Sequence, residues 1–358
     1  MSASTTAASA LPASTRTAGL VRAASLATPF FIALAVGAAI LALTGRDAVG
    51  TYWLLAEQSF GSASAIENTL VATTPVLFTG LATALAFRAG IFNVGVEGSL
   101  YVGAFAAAWA GFSFTGAPGP VLVALALALG ALAGLAWAIV PGALRAWWQV
   151  DEVVTTLMLN YVAILACSYL VNFWFLAPGV ANSMSPLVAG QAQLPSLAPP
   201  SQLTIAFPAA LLATAAYAYL LRSTTVGFRL RMAGLNARFA LGAGIDVRRV
   251  IMVAMALSGL LGGLAGAFQV LGVNYRFIDN FSPGYGFTGI AVALLGRGNP
   301  WGILLAAVFF GALSSGGAMI QLFSNIPLDL VNVVQGTVMI FAVVELGRLG
   351  VLRRYRRG

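Results

Sequence analysis

Long apolar runs dominate this sequence and restrict the folds that it can adopt. A helix needs about 20 apolar residues to cross a hydrocarbon core of roughly 30 Å. Only 8% of the 358 residues are charged and 60% are hydrophobic, against about 25% and roughly 45–50% in a typical soluble domain. The chain is therefore expected to be an all-α integral membrane protein. Runs of spanning length occur at 26–44, 66–87, 120–141, 153–176, 203–221, 250–272, 301–322 and 329–347.

Two further apolar segments are interrupted by glycines and polar residues. Residues 89–111 contain "IFNVGVEGSLYVGA", and residues 282–296 read "SPGYGFTGIAVALLG". The second segment is too short to cross the bilayer as a helix, which rises ~1.5 Å per residue. Unwound backbone at membrane depth is tolerated only where it is buried in protein or lines a cavity. We therefore predict about ten transmembrane helices, two of them broken near the midplane.

The distribution of arginine predicts the orientation in the membrane. With the N-terminus in the cytosol and ten alternating crossings, sixteen of the 18 arginines fall inside and two, Arg46 and Arg276, fall outside. This agrees with the positive-inside rule and places both termini in the cytosol. The predicted parts are a flexible cytosolic tail (1–25), a polytopic domain (26–349) and a basic cytosolic tail (350–358). The uncharged, proline-rich residues 177–201 are expected to form an irregular cap on the outer face.

Missing residue types exclude several kinds of chemistry. The sequence contains neither Lys nor His, so it has no GxxxxGK phosphate loop, no Ser-His-Asp triad and no HExxH zinc site. Cys167 is the single cysteine, which excludes an intramolecular disulfide and a cysteine-rich metal site. The chain is expected to be no enzyme and to carry no cofactor of its own.

Glu97 is the most unusual residue in the apolar segments. A charge at mid-bilayer costs at least ~2.5–3.5 kcal/mol on insertion scales and is a functional candidate by default. Counted as a helix from cytosolic Arg88, Glu97 lies about 13 Å deep, and Phe287 lies about 15 Å from Arg297. Paired interrupted segments at the midplane are typical of a translocation path. Glu97 either contacts cargo or holds the broken helix together by pairing with a backbone amide or with Asn93.

The residues expected to line this path are mostly neutral and hydrogen-bonding or aromatic. They favour an uncharged, hydrogen-bonding solute. Asn160 and Gln269 could equally form interhelical hydrogen bonds. An ion-coupled transporter or channel, with a coupling ion on Glu97 or Asp279, stays open at this point. The predicted path residues are Phe92, Asn93, Glu97, Asn160, Gln269, Asn274, Tyr285 and Phe287.

The cytosolic loop 222–249 has signals of local order. Asn236 is a predicted N-cap, residues 237–243 a helix of about two turns, and Gly244 a left-handed C-cap. This helix is interpreted either as a docking site for another protein or as part of a solvated linker.

Four motifs resemble a known family. They are "GFRLRMAGLNARFALGAGI" with the following "ALSGLLGGLAGAFQVLG", then "GYGFTGIAVALLGRGNPWGI", "FNVGVEGSLYVGA" and "DEVVTTLMLNYVA". Together they resemble membrane permease subunits of bacterial ATP-binding cassette (ABC) importers for simple sugars, nucleosides and branched-chain amino acids. The similarity runs from about 66 to 347. It is nearest to nucleoside-type permeases that work with a lipoprotein of the basic-membrane-protein type.

This resemblance implies a set of partners and a coupling site. A separate ATPase subunit would bind ATP and Mg²⁺ and dock on residues 228–246. A second permease, expected to be a paralogue, and an extracellular or periplasmic substrate-binding lipoprotein would complete the importer in the bacterial inner membrane, in contact with lipids and with no nucleic acid. Nucleoside is favoured over simple sugar as cargo. The implied coupling residues are Arg229, Arg231, Gly234, Asn236, Arg238, Phe239 and Gly244.

Overall fold

The computed structural model describes residues 35–39, 41–43, 47–324, 332–333, 336–337 and 340. Over these residues the regular structure is helical, apart from two isolated β-bridges. The predicted tails 1–25 and 350–358, the site of Arg46 and most of the runs 26–44 and 329–347 lie outside the described residues.

The helices between residues 47 and 324 follow one another with short connections, except for one long loop before α6 and another before α10. In chain order they are α1 (Ala48–Phe60), α2 (Ala63–Arg88), α3 (Val96–Ser113), α4 (Gly119–Trp148), α5 (Glu152–Phe173), α6 (Ala206–Ser223), α7 (Thr225–Leu235), α8 (Ala237–Gly242), α9 (Val247–Gln269), α10 (Tyr285–Leu295) and α11 (Pro300–Ser324).

Among the residues that the structure describes, five helical segments are long and apolar enough to cross a membrane. They coincide with the predicted runs at 66–87, 120–141, 153–176, 250–272 and 301–322, so the all-helical prediction is confirmed. The total of ten crossings and the orientation of the termini stay predictions. Helices α1 and α7 were not predicted. Each begins at a side-chain cap: Asp47 accepts from the Val49 amide, and Thr224 accepts from the Gly227 amide.

Both interrupted segments are broken helices, as predicted. After α2 ends at Arg88, residues 91–94 have no regular structure and α3 begins only at Val96. The short α10 begins at Tyr285 and ends at Leu295. The estimated depth of Glu97 was wrong in its premise, because a helical rise does not apply to the unwound residues before α3.

The centre of the bundle is α9, which packs against α2, α3 and α4. Glycines on facing helices let their backbones approach closely, as in other membrane bundles. A Cβ placed on Gly134 of α4 would fall 2.6 Å from the Gly263 Cα, and one on Gly103 of α3 would fall 2.6 Å from the Gly263 carbonyl oxygen. Gly263 of α9 is therefore the point where three helices meet.

The long loop between α5 and α6 covers one end of the bundle. It has one short 3₁₀ turn, Gly190–Ala192, and otherwise pairs with residues that follow α9. The Ser185 amide donates to the Phe277 carbonyl at 2.9 Å, and the Val188 amide donates to the Tyr275 carbonyl at 2.9 Å. The prediction of an irregular cap is confirmed in its conformation.

Gly263→Ala is expected to lower the apparent melting temperature in detergent. The added methyl has no room, because a Cβ on Gly263 would meet the α4 backbone at Gly130 and Gly134, and overpacking of this kind costs about 1–3 kcal/mol. Gly116→Ala is the matched control, because nothing lies within 4 Å of a Cβ at Gly116. Equal melting temperatures for the two variants would contradict the close contact of α3, α4 and α9.

Candidate functional site

Glu97 joins the first turns of the two broken helices. Glu97 is 2% exposed and lies in the first turn of α3. One carboxyl oxygen, Oε2, accepts a hydrogen bond from the backbone amide of Gly286, in the first turn of α10. First-turn amides have no partner inside their own helix, so Glu97 caps α10 across the gap. Of the alternatives left by the sequence, pairing with a backbone amide is the one observed.

Gly286 has no space for a side chain. A Cβ there would fall 2.5 Å from the Glu97 amide nitrogen and 2.7 Å from Oε2. The first turns of α3 and α10 thus touch through backbone atoms. Helix N-termini carry a partial positive charge, so two of them in contact favour an electron-rich oxygen between them.

Asn93 and Asn160 hold the unwound residues in front of α3. The Asn93 side chain accepts from the Gly95 amide at 2.8 Å and donates to the Ser258 hydroxyl at 2.9 Å. The Asn160 side chain accepts from the Gly98 amide at 2.8 Å and donates to the Val94 carbonyl at 2.9 Å. These bonds satisfy backbone groups that the broken helix leaves open. Asn93 does not pair with Glu97, and Asn160 forms the interhelical bond that the sequence left as an alternative.

A cavity of about 450 Å³ lies beside the start of α10. Its walls come from the first half of α2, the end of α9, the first turn of α10 and the second half of α11. The lining that the structure describes contains no Asp, Glu, Lys or Arg. The polar residues that line it are Asn68, Gln269, Tyr285, Thr288, Ser314, Ser315 and Asn332.

The end of α9 shapes one wall of this cavity. Residues Val270–Asn274 form a π-helical turn, which continues into left-handed Tyr275 with φ 54°. Such turns are rare and are frequent at functional sites. Gln269, just before the turn, and Val273, inside it, both line the cavity.

Gln269 supplies an unused hydrogen-bonding group to the cavity. The residue is 8% exposed, and in the part of the chain that the structure describes its amide has no hydrogen-bond partner. A buried amide normally finds a partner, because leaving it unpaired costs about 1–3 kcal/mol. Its position at the cavity surface means that a solute or water can supply that partner.

The structure brings together only part of the predicted path. Gln269 and Tyr285 line the cavity. Glu97 does not line it, but it accepts a hydrogen bond from Gly286, the residue after Tyr285. Asn274 lies at the end of the π-helical turn and does not line the cavity. Phe92 and Phe287 are each 39% exposed and do not line it either.

Several residues that line the cavity were not predicted from the sequence. Asn68 stands with Glu67 and Thr69 near the start of one apolar run, Asn332 is a single polar residue near the start of another, and Ser314 and Ser315 form a pair within α11. Polar residues inside otherwise apolar spans were the available signal, but hydroxyls of this kind more often bond to their own helix.

The helix predicted within loop 222–249 is present and is exposed on one side. The Asn236 side chain caps α8 by accepting from the Phe239 amide at 3.0 Å, and Gly244 is left-handed with φ 76°. The helix ends one residue earlier than predicted, at Gly242. Phe239 is 61% exposed, whereas Ala240 is fully buried.

Further exposed apolar side chains lie next to Phe239. Leu235, the last residue of α7, is 82% exposed, and Leu241 of α8 is 59% exposed. Arg229, Arg231 and Arg238 are also exposed. Apolar side chains surrounded by arginines on a surface of this kind are typical of a protein contact.

This all-helical bundle, with two broken helices meeting beside a neutral cavity, belongs to the class of membrane permeases. Residues 65–343 match the family described as "Branched-chain amino acid transport system / permease component", and the chain belongs to that family. The resemblance to permease subunits of ABC importers is thereby confirmed.

Similar proteins cover most of the chain. The guanosine ABC transporter permease protein NupP of Bacillus subtilis is 36% identical over 87% of this chain and 90% of its own length. The glucose ABC transporter permease protein TsgB13 of Haloferax volcanii is 32% identical over 91% and 87%. The nucleoside ABC transporter permease protein NupB of Lactococcus lactis is 31% identical over 87% of both chains. No solved structure matches the chain.

Glu97→Gln is expected to keep the thermal stability close to that of the wild type, whereas Glu97→Leu lowers it. Gln retains an oxygen that can accept from the Gly286 amide, while Leu leaves that buried amide unpaired at a cost of about 1–3 kcal/mol. The measurement is the apparent melting temperature in detergent. Equal loss in both variants would show that the cap is not the stabilising feature of this residue.

Proposed function

We propose that this chain is the permease subunit of an ATP-driven importer for a neutral nucleoside. The observation that carries the proposal is the cavity beside α10, which has an unused amide, an aromatic side chain and no charged residue in its described lining. Gln269 suits the donors and acceptors of a base or ribose, and the Tyr285 ring offers a surface for stacking. Two of the relatives named above are permeases for guanosine or nucleosides.

A simple sugar is the second candidate cargo. The relative from Haloferax volcanii is a glucose permease of comparable identity, and the same neutral polar groups would serve sugar hydroxyls. The two cargoes differ in one chemical respect, because only a nucleoside has a base that can stack on Tyr285.

The partner assembly follows from the same proposal. A separate ATPase would bind ATP and dock on α7 and α8, where Leu235, Phe239 and Leu241 are exposed. A paralogous permease would complete the path: Bacillus subtilis has NupP and NupQ, and Lactococcus lactis has NupB and NupC, each a pair of permeases similar to this chain. A substrate-binding lipoprotein would deliver the solute from outside, and the permease would span the inner membrane about ten times.

The decisive experiment is uptake by vesicles that contain this chain with its neighbouring permease, ATPase and binding protein. Labelled guanosine, adenosine, ribose and glucose are compared, with and without an inactivated ATPase. Nucleoside uptake that requires ATP hydrolysis supports the proposal. Uptake of glucose or ribose alone makes the cargo a sugar, and uptake that follows an ion gradient without ATP overturns the importer mechanism.

Gln269→Leu and Tyr285→Leu are each expected to reduce ATP-dependent nucleoside uptake by roughly tenfold, because the loss of one buried polar or stacking contact is worth about 1–3 kcal/mol. The control is Gln321→Leu, which removes an exposed glutamine of α11 that does not line the cavity. Unchanged uptake in both cavity variants would exclude this cavity from the path.

Phe239→Asp is expected to reduce co-purification of the ATPase at least tenfold, because it puts a charge into the exposed apolar centre of the proposed contact. Gln149→Asp adds the same charge at an exposed residue between α4 and α5, outside α7 and α8, and serves as the control. If the ATPase co-purifies equally well with the Phe239 variant, its contact with this chain does not include Phe239.

A further inference from the structure

The short helix α10 is held at both ends by one segment of the chain, residues 88–97. At its start, Gly286 donates to Glu97, the last residue of this segment. Beyond its end, the carbonyl of Gly298 accepts a hydrogen bond of 2.8 Å from Nη2 of Arg88, the first residue of the segment. These two contacts lie at opposite ends of α10, whose 11 residues span about 16 Å by helical rise.

The contact at Gly298 is close and involves a third element. Gly298 is left-handed with φ 67°, and a Cβ there would fall 2.7 Å from Nε of Arg88. The Tyr217 hydroxyl of α6 donates to the same carbonyl at 3.2 Å. The Arg88 guanidinium is thus enclosed beneath the turn between α10 and α11, where its fixed fork of donors suits a backbone carbonyl better than a flexible ammonium.

The same segment touches the cytosolic helices through glycine backbone. A Cβ on Gly90 would fall 3.1 Å from the Gly234 Cα, and a Cβ on Gly234 would fall 2.9 Å from the Gly90 nitrogen. Gly90 is also left-handed, with φ 77°. The end of α7 therefore lies directly against the segment, with no side chain between them to absorb a displacement.

The first turn of α10 in turn forms part of the cavity wall, through Tyr285 and Thr288. A continuous series of contacts thus runs from α7, through Gly234 and Gly90, along residues 88–97, to both ends of α10 and to the cavity. Packed elements of this kind move as units rather than deforming continuously.

We infer that residues 88–97 and α10 move as one body, which transmits displacements of α7 and α8 to the solute cavity. This inference rests on the proposed docking of an ATPase on α7 and α8. In it Arg88 is a positioning residue: it contacts no solute and keeps the cytosolic end of α10 attached to the segment that α7 displaces. Gly234 is the residue of α7 that contacts this segment, at Gly90, and passes the displacement on to it.

The test separates transport from ATP hydrolysis in the complete complex, reconstituted with the second permease, the ATPase and the binding protein. The variants are Gly234→Ala, Arg88→Gln and Arg88→Lys. The control is Gly190→Ala, in the outer loop, where nothing lies within 4 Å of a Cβ. Uptake of labelled guanosine and release of phosphate are measured in the same vesicles, after equal co-purification of the ATPase has been checked.

Arg88→Gln is expected to hydrolyse ATP at close to the wild-type rate while solute uptake per ATP falls about fivefold or more. Gly234→Ala is expected to lower the same ratio of uptake to hydrolysis. Arg88→Lys is expected to recover part of the loss, because an ammonium can still donate to the Gly298 carbonyl. A merely destabilising change would lower hydrolysis and uptake together and leave their ratio unchanged.

An unchanged ratio of uptake to hydrolysis in both Gly234→Ala and Arg88→Gln overturns the inference. If instead no ATPase assembles with the wild-type chain, or if wild-type uptake does not require ATP, the proposed importer function fails. The two failures are distinguishable because the second is seen in the wild type alone.

Discussion

The hydrogen bond between Glu97 and the Gly286 amide is the interaction on which the centre of this permease depends. Two helices begin inside an apolar bundle, and each start leaves backbone amides without partners. One carboxyl group, built into the first turn of α3, satisfies an amide of α10 and brings the two starts into contact. The cost of burying this carboxyl group is offset because the alternative is an unpaired amide in the same apolar surroundings.

The other features of the site follow from this arrangement. Residues 91–94 are unwound, so Asn93 and Asn160 are needed to bond their backbone groups. Gly286 must lack a side chain because Glu97 occupies its space. The cavity beside the start of α10 is bounded by Tyr285 and Thr288 of that helix and by side chains of α2, α9 and α11, and its described lining is neutral. A neutral lining suits an uncharged solute and would leave a phosphorylated one without compensation for its charge.

The surface around α7 and α8 shows a different use of the same residue types. Asn236 and Gly244 set the bounds of α8 through local geometry, and the exposed apolar side chains around it need a partner to cover them. Glycines here serve close backbone contact: Gly90 and Gly234 bring α7 against the segment that also carries Arg88 and Glu97. The exposed surface around α8 and the short helix α10 are therefore connected through one segment, residues 88–97.

The sequence by itself determined the membrane class, most helices, both helix breaks, the α8 cap and the family. The family rests on the resemblance of four motifs. The other features depend on composition and on signals within about one helical turn, such as apolar length, glycine and a capping side chain. Only the tertiary structure decided the partner of Glu97, the structural roles of Asn93 and Asn160, and the membership of Asn68, Ser314 and Ser315 in the cavity. Glu97 and Gly286 are 189 residues apart in sequence, and no local pattern encodes which distant backbone group a buried side chain will meet. The physical reason is that hydrogen-bond partners in an apolar bundle are chosen by how whole helices pack.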